Sequence, residues 1–257
     1  MSADRRLLVG LGALVAVLAV VLTVVAGPGA GAKLLVHEDG TTVGDGPAEL
    51  AGLADEALRR GRSHVIEHGE ATVFADVFGP PARLLVIGAV DTAEALCRAA
   101  KLLGWTTIVA DARARFATRE RLPSADEILV AWPEEAFARV QPDLGTAVVV
   151  LTHDDKFDLP ALQAALASEA FYVGALGSRR NQERRRERLV EAGVAESALD
   201  RIAGPCGLDV GAESPAETAF SILAEILAVR AGRSGGPLKT ARTRIHAEPP
   251  EPAARPG

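Results

Sequence analysis

Between Leu84 and Arg230 the chain alternates short apolar runs with helical stretches, and this rhythm restricts the fold more than any other feature. Leu84-Leu85-Val86-Ile87 precedes a helix over Thr92–Leu103 that Gly104 closes. Thr106–Ala110 and Glu127–Val130 follow, then a helix from Pro133, the run Thr146–Leu151, a helix over Leu159–Ala167 and the run Phe171–Ala175. Runs that are apolar at successive positions belong to strands buried on both faces. Alternating with helices, they predict a Rossmann-like α/β fold: a parallel sheet, right-handed crossovers and helices on both faces. Ligands of such sheets bind beyond the carboxyl ends of the strands, at the switch point. Those ends are Gly88–Asp91, Asp111–Phe116, Thr152–Lys156 and Leu176–Arg180, and they are expected to converge.

Three zones follow from this rhythm. Residues 1–78 read as a small, glycine-punctuated α/β unit. It has a strand ending at Gly27-Pro28-Gly29, a strand over Lys33–His37, a helix over Ala48–Arg60 closed by Gly61, and strand-like Ala71–Phe74. Gly79-Pro80-Pro81 marks a boundary, residues 82–232 form the Rossmann-like unit, and residues 233–257 read as a disordered tail. Leu7–Ala26 carries no charge. As a helix rising about 1.5 Å per residue it would span roughly 30 Å, enough for a bilayer core. With Arg5 and Arg6 before it and Ala30-Gly31-Ala32 after, it fits a signal peptide or membrane anchor. It equally fits a short helix over Leu7–Val15 and a buried strand over Leu18–Val25, which the valine-rich second half favours.

Several function classes are excluded. A net charge of −6 argues against nucleic acid as a partner, since phosphate neutralisation needs clustered Lys and Arg. Two cysteines, Cys97 and Cys206, make neither a disulfide framework nor a cysteine-rich zinc site, and fit a reducing cytoplasm. His64-Val65-Ile66-Glu67-His68 matches an H-x-x-E-H zinc pattern, but that pattern needs a helix. Gly61 and Gly69 bracket the segment, β-branched residues fill it and no third ligand is evident, so no metal site is assigned.

Candidate binding chemistry lies at the strand ends. Gly88-Ala89-Val90-Asp91-Thr92-Ala93 keeps the first and third positions of a G-x-G-x-x-G/A fingerprint. Val90 replaces the central Gly, and Val90 and Asp91 would crowd and repel a pyrophosphate. Asp111 stands where an acidic residue meets a ribose hydroxyl. Gly177-Ser178-Arg179 opens a helix, with Ser178 as N-cap and amides that form an anion site strengthened by Arg179 and Arg180. The arginines through Arg188 also fit a solvated helix face, with pairs such as Glu183–Arg186. His153 is either a proton donor or ligand contact, or part of a polar loop whose Asp158 caps the next helix. Gly204–Ala212 is too glycine-rich for a plain linker: Gly207 permits close backbone approach and Asp209 supplies an acceptor. Ser214-Pro215-Ala216-Glu217 is a capping box for a final helix burying Phe220, Ile222, Leu223, Ile226 and Leu227. Cys206 reads as structural rather than nucleophilic.

These motifs together resemble the C-terminal domain of the XdhC/CoxI family, accessory proteins of xanthine dehydrogenase and carbon monoxide dehydrogenase. The resemblance rests on Asp111-Ala-Arg113-Ala-Arg-Phe116-Ala-Thr, Val149-Val-Leu-Thr-His153-Asp-Asp-Lys156, Tyr172-Val-Gly-Ala-Leu-Gly177-Ser-Arg-Arg and Gly204-Pro-Cys-Gly-Leu-Asp209-Val-Gly-Ala, in that order. It implies a non-catalytic insertion chaperone that binds molybdenum cofactor (molybdopterin or its dinucleotide), assists its sulfuration and delivers it to a molybdenum hydroxylase apo-enzyme. A cysteine desulfurase as sulfur donor and a homodimer are further expectations. Gly88, Asp91, Asp111, Arg113, His153, Gly177, Ser178, Arg179, Gly207 and Asp209 become the cofactor-binding set, with no catalytic residue assigned. The alternative function is an NAD(P)-dependent oxidoreductase. Thr23–Val36, with Asp39-Gly40 and Gly44, is similar to the family's N-terminal segment, which makes Thr23–Val25 a domain strand and favours a cytoplasmic protein. Where many members follow the Gly44-like position with Gly-Gly-Cys-Glu, this chain reads Gly44-Asp45-Gly46-Pro47-Ala48-Glu49, without cysteine, so binding and delivery are better supported than sulfur handling.

Overall fold

The computed structural model describes residues 19–241, which divide near Pro80 into two compact units. The first is built on an antiparallel sheet of β1 (Ala19–Ala26), β2 (Lys33–His37), β3 (Thr42–Gly44), β4 (His64–His68) and β5 (Ala71–Phe78), in the order β3-β2-β1-β5-β4. Between β3 and β4 a 3-10 turn over Ala48–Leu53 runs into α1 (Ala54–Arg60). The valine-rich segment is the central strand: Val20, Leu22 and Val24 are buried, and β1 pairs with both β2 and β5. The half of the apolar stretch before Ala19 lies outside the described residues, as does the tail after Ala241. No helix among the described residues is long and apolar enough to cross a membrane. The unit differs from a strand–helix–strand plan because His64–His68 is itself a strand, paired antiparallel with β5 through a turn at Gly69. On a strand, residues four apart lie about 13 Å from each other, too far to share a metal. No group of three His, Cys, Asp or Glu among the described residues could hold one.

The second unit holds the expected parallel sheet. Its elements are β6 (Arg83–Ile87), α2 (Asp91–Lys101), β7 (Thr106–Ala110), β8 (Glu127–Leu129), α3 (Pro133–Val140), β9 (Thr146–Val150), α4 (Asp155–Ala167), β10 (Tyr172–Ala175), α5 (Arg179–Glu191), α6 (Glu196–Leu199), β11 (Ile202–Ala203) and α7 (Pro215–Arg230). The order is β11-β10-β9-β6-β7-β8 with every pairing parallel, and the order of strand addition reverses between β6 and β9. Successive side chains of each strand enter opposite cores. Leu84, Val86, Ala147 and Val149 pack with residues of α2 and α7, whereas Leu85, Ile87, Val148 and Val150 pack with residues of α3, α4 and Leu189 of α5. This explains why the runs are apolar at every position.

Two expected details are corrected. Helix α4 begins a turn before Leu159, because the Asp154 carboxylate accepts the Lys156 N–H as its N-cap while Asp158 is buried inside the helix. Phe220 is exposed: it falls just outside the buried stripe Ala219, Ile222, Leu223 and Ile226 of α7. The Ser214–Glu217 capping box forms as the sequence predicts.

Candidate functional site

The four strand ends come together at the carboxyl edge of the parallel sheet. Gly88, at the end of β6, has φ +113°, and a Cβ there would lie 2.8 Å from Thr152 Cγ2 beyond β9. The Leu151 N–H donates to Ile87 O, and the Leu176 N–H to Val150 O, which continues the ladder past the strands. Val90 is the N-cap residue of α2 and supplies no side-chain cap. Asp91 begins that helix with a largely exposed carboxylate, 3.3 Å from Arg121 Nη2. The helix end that takes pyrophosphate in dinucleotide folds therefore carries its own negative charge.

Asp111, at the end of β7, is buried and fully engaged. Its Oδ2 accepts the Ala89 N–H at 2.9 Å and Arg113 Nη2 at 2.8 Å, and its Oδ1 accepts the Arg113 backbone N–H and Nε, both at 2.9 Å. Burial works to raise its pKa, but the Arg113 guanidinium and the two amides outweigh that and hold it below the usual carboxylate range. Four donors occupy the lone pairs that a ribose diol would need. The carboxylate instead ties the β7 loop to the β6 loop and fixes Arg113. That guanidinium lies 4.5 Å from the Phe116 ring centroid and 5.4 Å from that of Phe157, with Nη1 outside the contacts to Asp111. Arg115 and Arg121 also lie over Phe116, at 4.6 and 5.2 Å. Of these three arginines, Arg113 is paired with Asp111 and Arg121 with Asp91, on a chain of net charge −6.

A buried network fastens the other side of the crevice. Arg185 Nε donates to Asp158 Oδ2 at 2.9 Å, Nη1 to Leu176 O at 2.6 Å and Nη2 to Thr152 O at 3.1 Å, while the Thr152 hydroxyl donates to Asp158 Oδ1. One arginine thus holds the loops after β9 and β10 together. Sequence reasoning assigned the later arginines of this helix to a solvated face. For Arg185 the signal was its four-residue spacing from Leu189, the other buried residue of the helix. Arg186 pairs with Asp200 at 3.1 Å, and Arg188 with Asp155 at 2.6 Å, so these partners lie on other elements.

The remaining expected residues separate into groups. Ser178 caps α5, its Oγ accepting the Asn181 N–H at 3.2 Å, and Gly177 has φ +144° beside Arg185. Arg179 is exposed and, with Gln182, Gly204 and Pro205, lines a cavity of about 380 Å³ beside α5 and β11. His153 and Asp209 are exposed. Gly207 makes its close approach internally: a Cβ would meet Ser221 Oγ of α7 at 2.5 Å, and its N–H donates to Glu225 Oε2 at 2.8 Å. Both cysteines are buried, and burial pushes each thiol up to about 12. Phe157 and Trp132 escaped the sequence reading because lone aromatics at helix starts carry no motif.

Comparison with known proteins agrees with this fold. Residues 84–226 match the family model of the XdhC Rossmann domain. The chain is 31% identical over 226 residues to the uncharacterized protein YqeB of Escherichia coli, covering 80% of this chain and 41% of that protein. It is 32% identical over 158 residues to a probable xanthine dehydrogenase subunit of Bacillus subtilis, covering 62% of this chain and 46% of that one. It is also 32% identical over 153 residues to the molybdenum cofactor insertion chaperone PaoD of E. coli, covering 60% of this chain and 42% of PaoD. The chain thus spans less than half the length of these relatives. A crystal structure of a xanthine dehydrogenase from Bacillus halodurans superposes with a TM-score of 0.57 at 25% identity, covering 84% of this chain and 62% of that one.

Proposed function

Since this chain belongs to the XdhC family, we propose that it is an accessory protein that holds a molybdenum cofactor and delivers it to a hydroxylase of the xanthine dehydrogenase class. The name of PaoD supports the cofactor, and that of the B. subtilis relative supports the client class. The carrying observation is the fixed cation at the carboxyl edge: Asp111 is spent on Arg113, which leaves a guanidinium where dinucleotide folds present a ribose acceptor.

The residues present fit such a group. The cofactor is an anionic pterin phosphate, or a dinucleotide with a second phosphate, and its metal rides on the pterin, so the protein needs phosphate donors rather than a metal-ligand cluster. Arg113, Lys156, and Arg179 with the first amides of α5 are suitable donors. Bound cofactor supplies redox chemistry to the client enzyme; this chain binds and orients it. The reading favours delivery over sulfur transfer, because two buried thiols pushed up to about 12 make poor nucleophiles. Sulfur from a cysteine desulfurase would then reach the cofactor without resting on a thiol of this chain. An NAD(P)-dependent oxidoreductase is less well supported, since Asp91 puts a carboxylate in the first turn of the helix that would take the pyrophosphate and the Asp111 carboxylate is engaged by four donors.

Purification from a molybdenum-replete host, followed by oxidation and fluorescence of released pterin, tests the proposal. About one pterin per chain is expected, together with activation of apo-hydroxylase on mixing. Stoichiometric NADP without pterin would overturn it.

A further inference from the structure

A row of neighbouring aromatic rings with a guanidinium among them crosses three loops of the carboxyl edge. It runs from Phe116, after β7, through the Arg113 guanidinium at 4.5 Å to Phe157 at 5.4 Å, and from Phe157 to Trp132, after β8, at 5.0 Å with the rings 34° apart. The Lys156 ammonium lies 4.9 Å from the Phe157 ring, on the same α4 turn, and 3.3 Å from the exposed Asp154 carboxylate, a surface pair that a phosphate would have to displace. The row ends on Trp132, which is 47% exposed although tryptophan carries a large apolar surface. Helix capping gives no reason for a tryptophan there, and its contact with Phe157 leaves about half of it exposed. Trp132 is the N-cap residue of α3, where Ser, Thr, Asp or Asn would accept helix amides, and an indole has no acceptor.

We propose that Trp132 is the platform on which the flat heterocycle of the ligand stacks, extending the row by one ring while Arg113 and Lys156 take its phosphate. The inference rests on the cofactor-holding reading above and adds where the ring lies. Two heterocycles have this chemistry, the nucleobase of a dinucleotide and the pterin itself. Cation and ring are both needed: an aromatic surface alone does not select anions, and base–aromatic stacking tolerates different bases.

The chain's two tryptophans make the test direct, because the other, Trp105, is buried. The intact 257-residue chain is titrated with CDP, GDP and pterin-6-carboxylate, with binding read by calorimetry or equilibrium dialysis and, for the nucleotides, tryptophan emission followed in parallel. Saturable binding with quenched emission is expected for wild type. In Trp132→Phe, affinity should stay within about threefold while the quenching disappears, and in Trp132→Ala affinity should fall about tenfold. Tightest binding of a nucleoside diphosphate assigns the platform to the nucleobase, and tightest binding of pterin-6-carboxylate to the pterin. Unchanged affinity in Trp132→Ala, or no binding of any probe to wild type at millimolar concentration, overturns the platform. The bound-pterin assay does not depend on Trp132, so pterin recovered alongside either result leaves the cofactor reading standing.

Discussion

Asp111 shows how one side chain changes meaning once its neighbours are known. Its place at the end of the second strand of the Rossmann unit marks it as a ribose acceptor, yet it is buried and accepts from Ala89 and Arg113. Asp111→Asn keeps the shape but loses the charge and turns an amide NH₂ toward a guanidinium. Hydrogen bonds to charged groups contribute about 1.5–3 kcal/mol, so a loss of about 2 kcal/mol at pH 7 is expected. The folded pKa lies below the ordinary value. The contribution is therefore complete above the unfolded pKa of about 4 and disappears as pH falls through the folded value. Urea midpoints of wild type and variant should stay separated from pH 8 to about pH 4 and merge below that. A gap that does not narrow as pH falls below about 4 would show that charge is not the source. The position of Asp111 was legible because strand spacing fixes it, but its partners were not, because they depend on loop paths that no local pattern encodes.

At the level of elements, the strand–helix rhythm carried most of the fold, since burial on both faces leaves an unbroken apolar signature on β6, β7 and β9. Two-residue β11, four-residue α6 and the hairpin strand β4 had no such signature. Helix α5 is the instructive case. Its run of arginines looks uniformly solvated, and only the tertiary fold separates Arg185, 3% exposed and bound to Asp158, from its neighbours. Arg185→Ala leaves a buried carboxylate without its cation, which costs about 3–5 kcal/mol. Burial already raises the Asp158 pKa against the pull of Thr152 and Arg185, and loss of the arginine raises it further. A raised carboxyl contributes stability at low pH and loses it as pH rises through the folded value, so the variant should be penalised most at neutral pH and recover toward pH 5. Asp158→Asn in the Arg185→Ala background should restore part of the loss at pH 7. Equal penalties at both pH values, with no rescue, would mean that Arg185 acts through packing alone.

On the scale of the molecule, the two sheets share no strand, and every group in the candidate crevice from Gly88 to Arg185 belongs to the second. The acidic whole does not prevent anion binding, because charges beyond about 8 Å are largely screened at physiological salt and three arginines, two of them paired with Asp111 and Asp91, lie over the Phe116 ring. The second unit also has its own cores on both faces of its sheet, with α7 closing one of them. A fragment of residues 82–241 is accordingly expected to fold alone. In calorimetry it should give one transition with a heat-capacity change of about 2 kcal/mol/K, as befits its size. Its affinity for GDP or pterin-6-carboxylate should lie within about threefold of the intact chain. A fragment that folds but binds more than tenfold more weakly would show that the antiparallel unit supplies part of the ligand site. One that fails to give a cooperative transition would show that the parallel sheet depends on the first unit for stability.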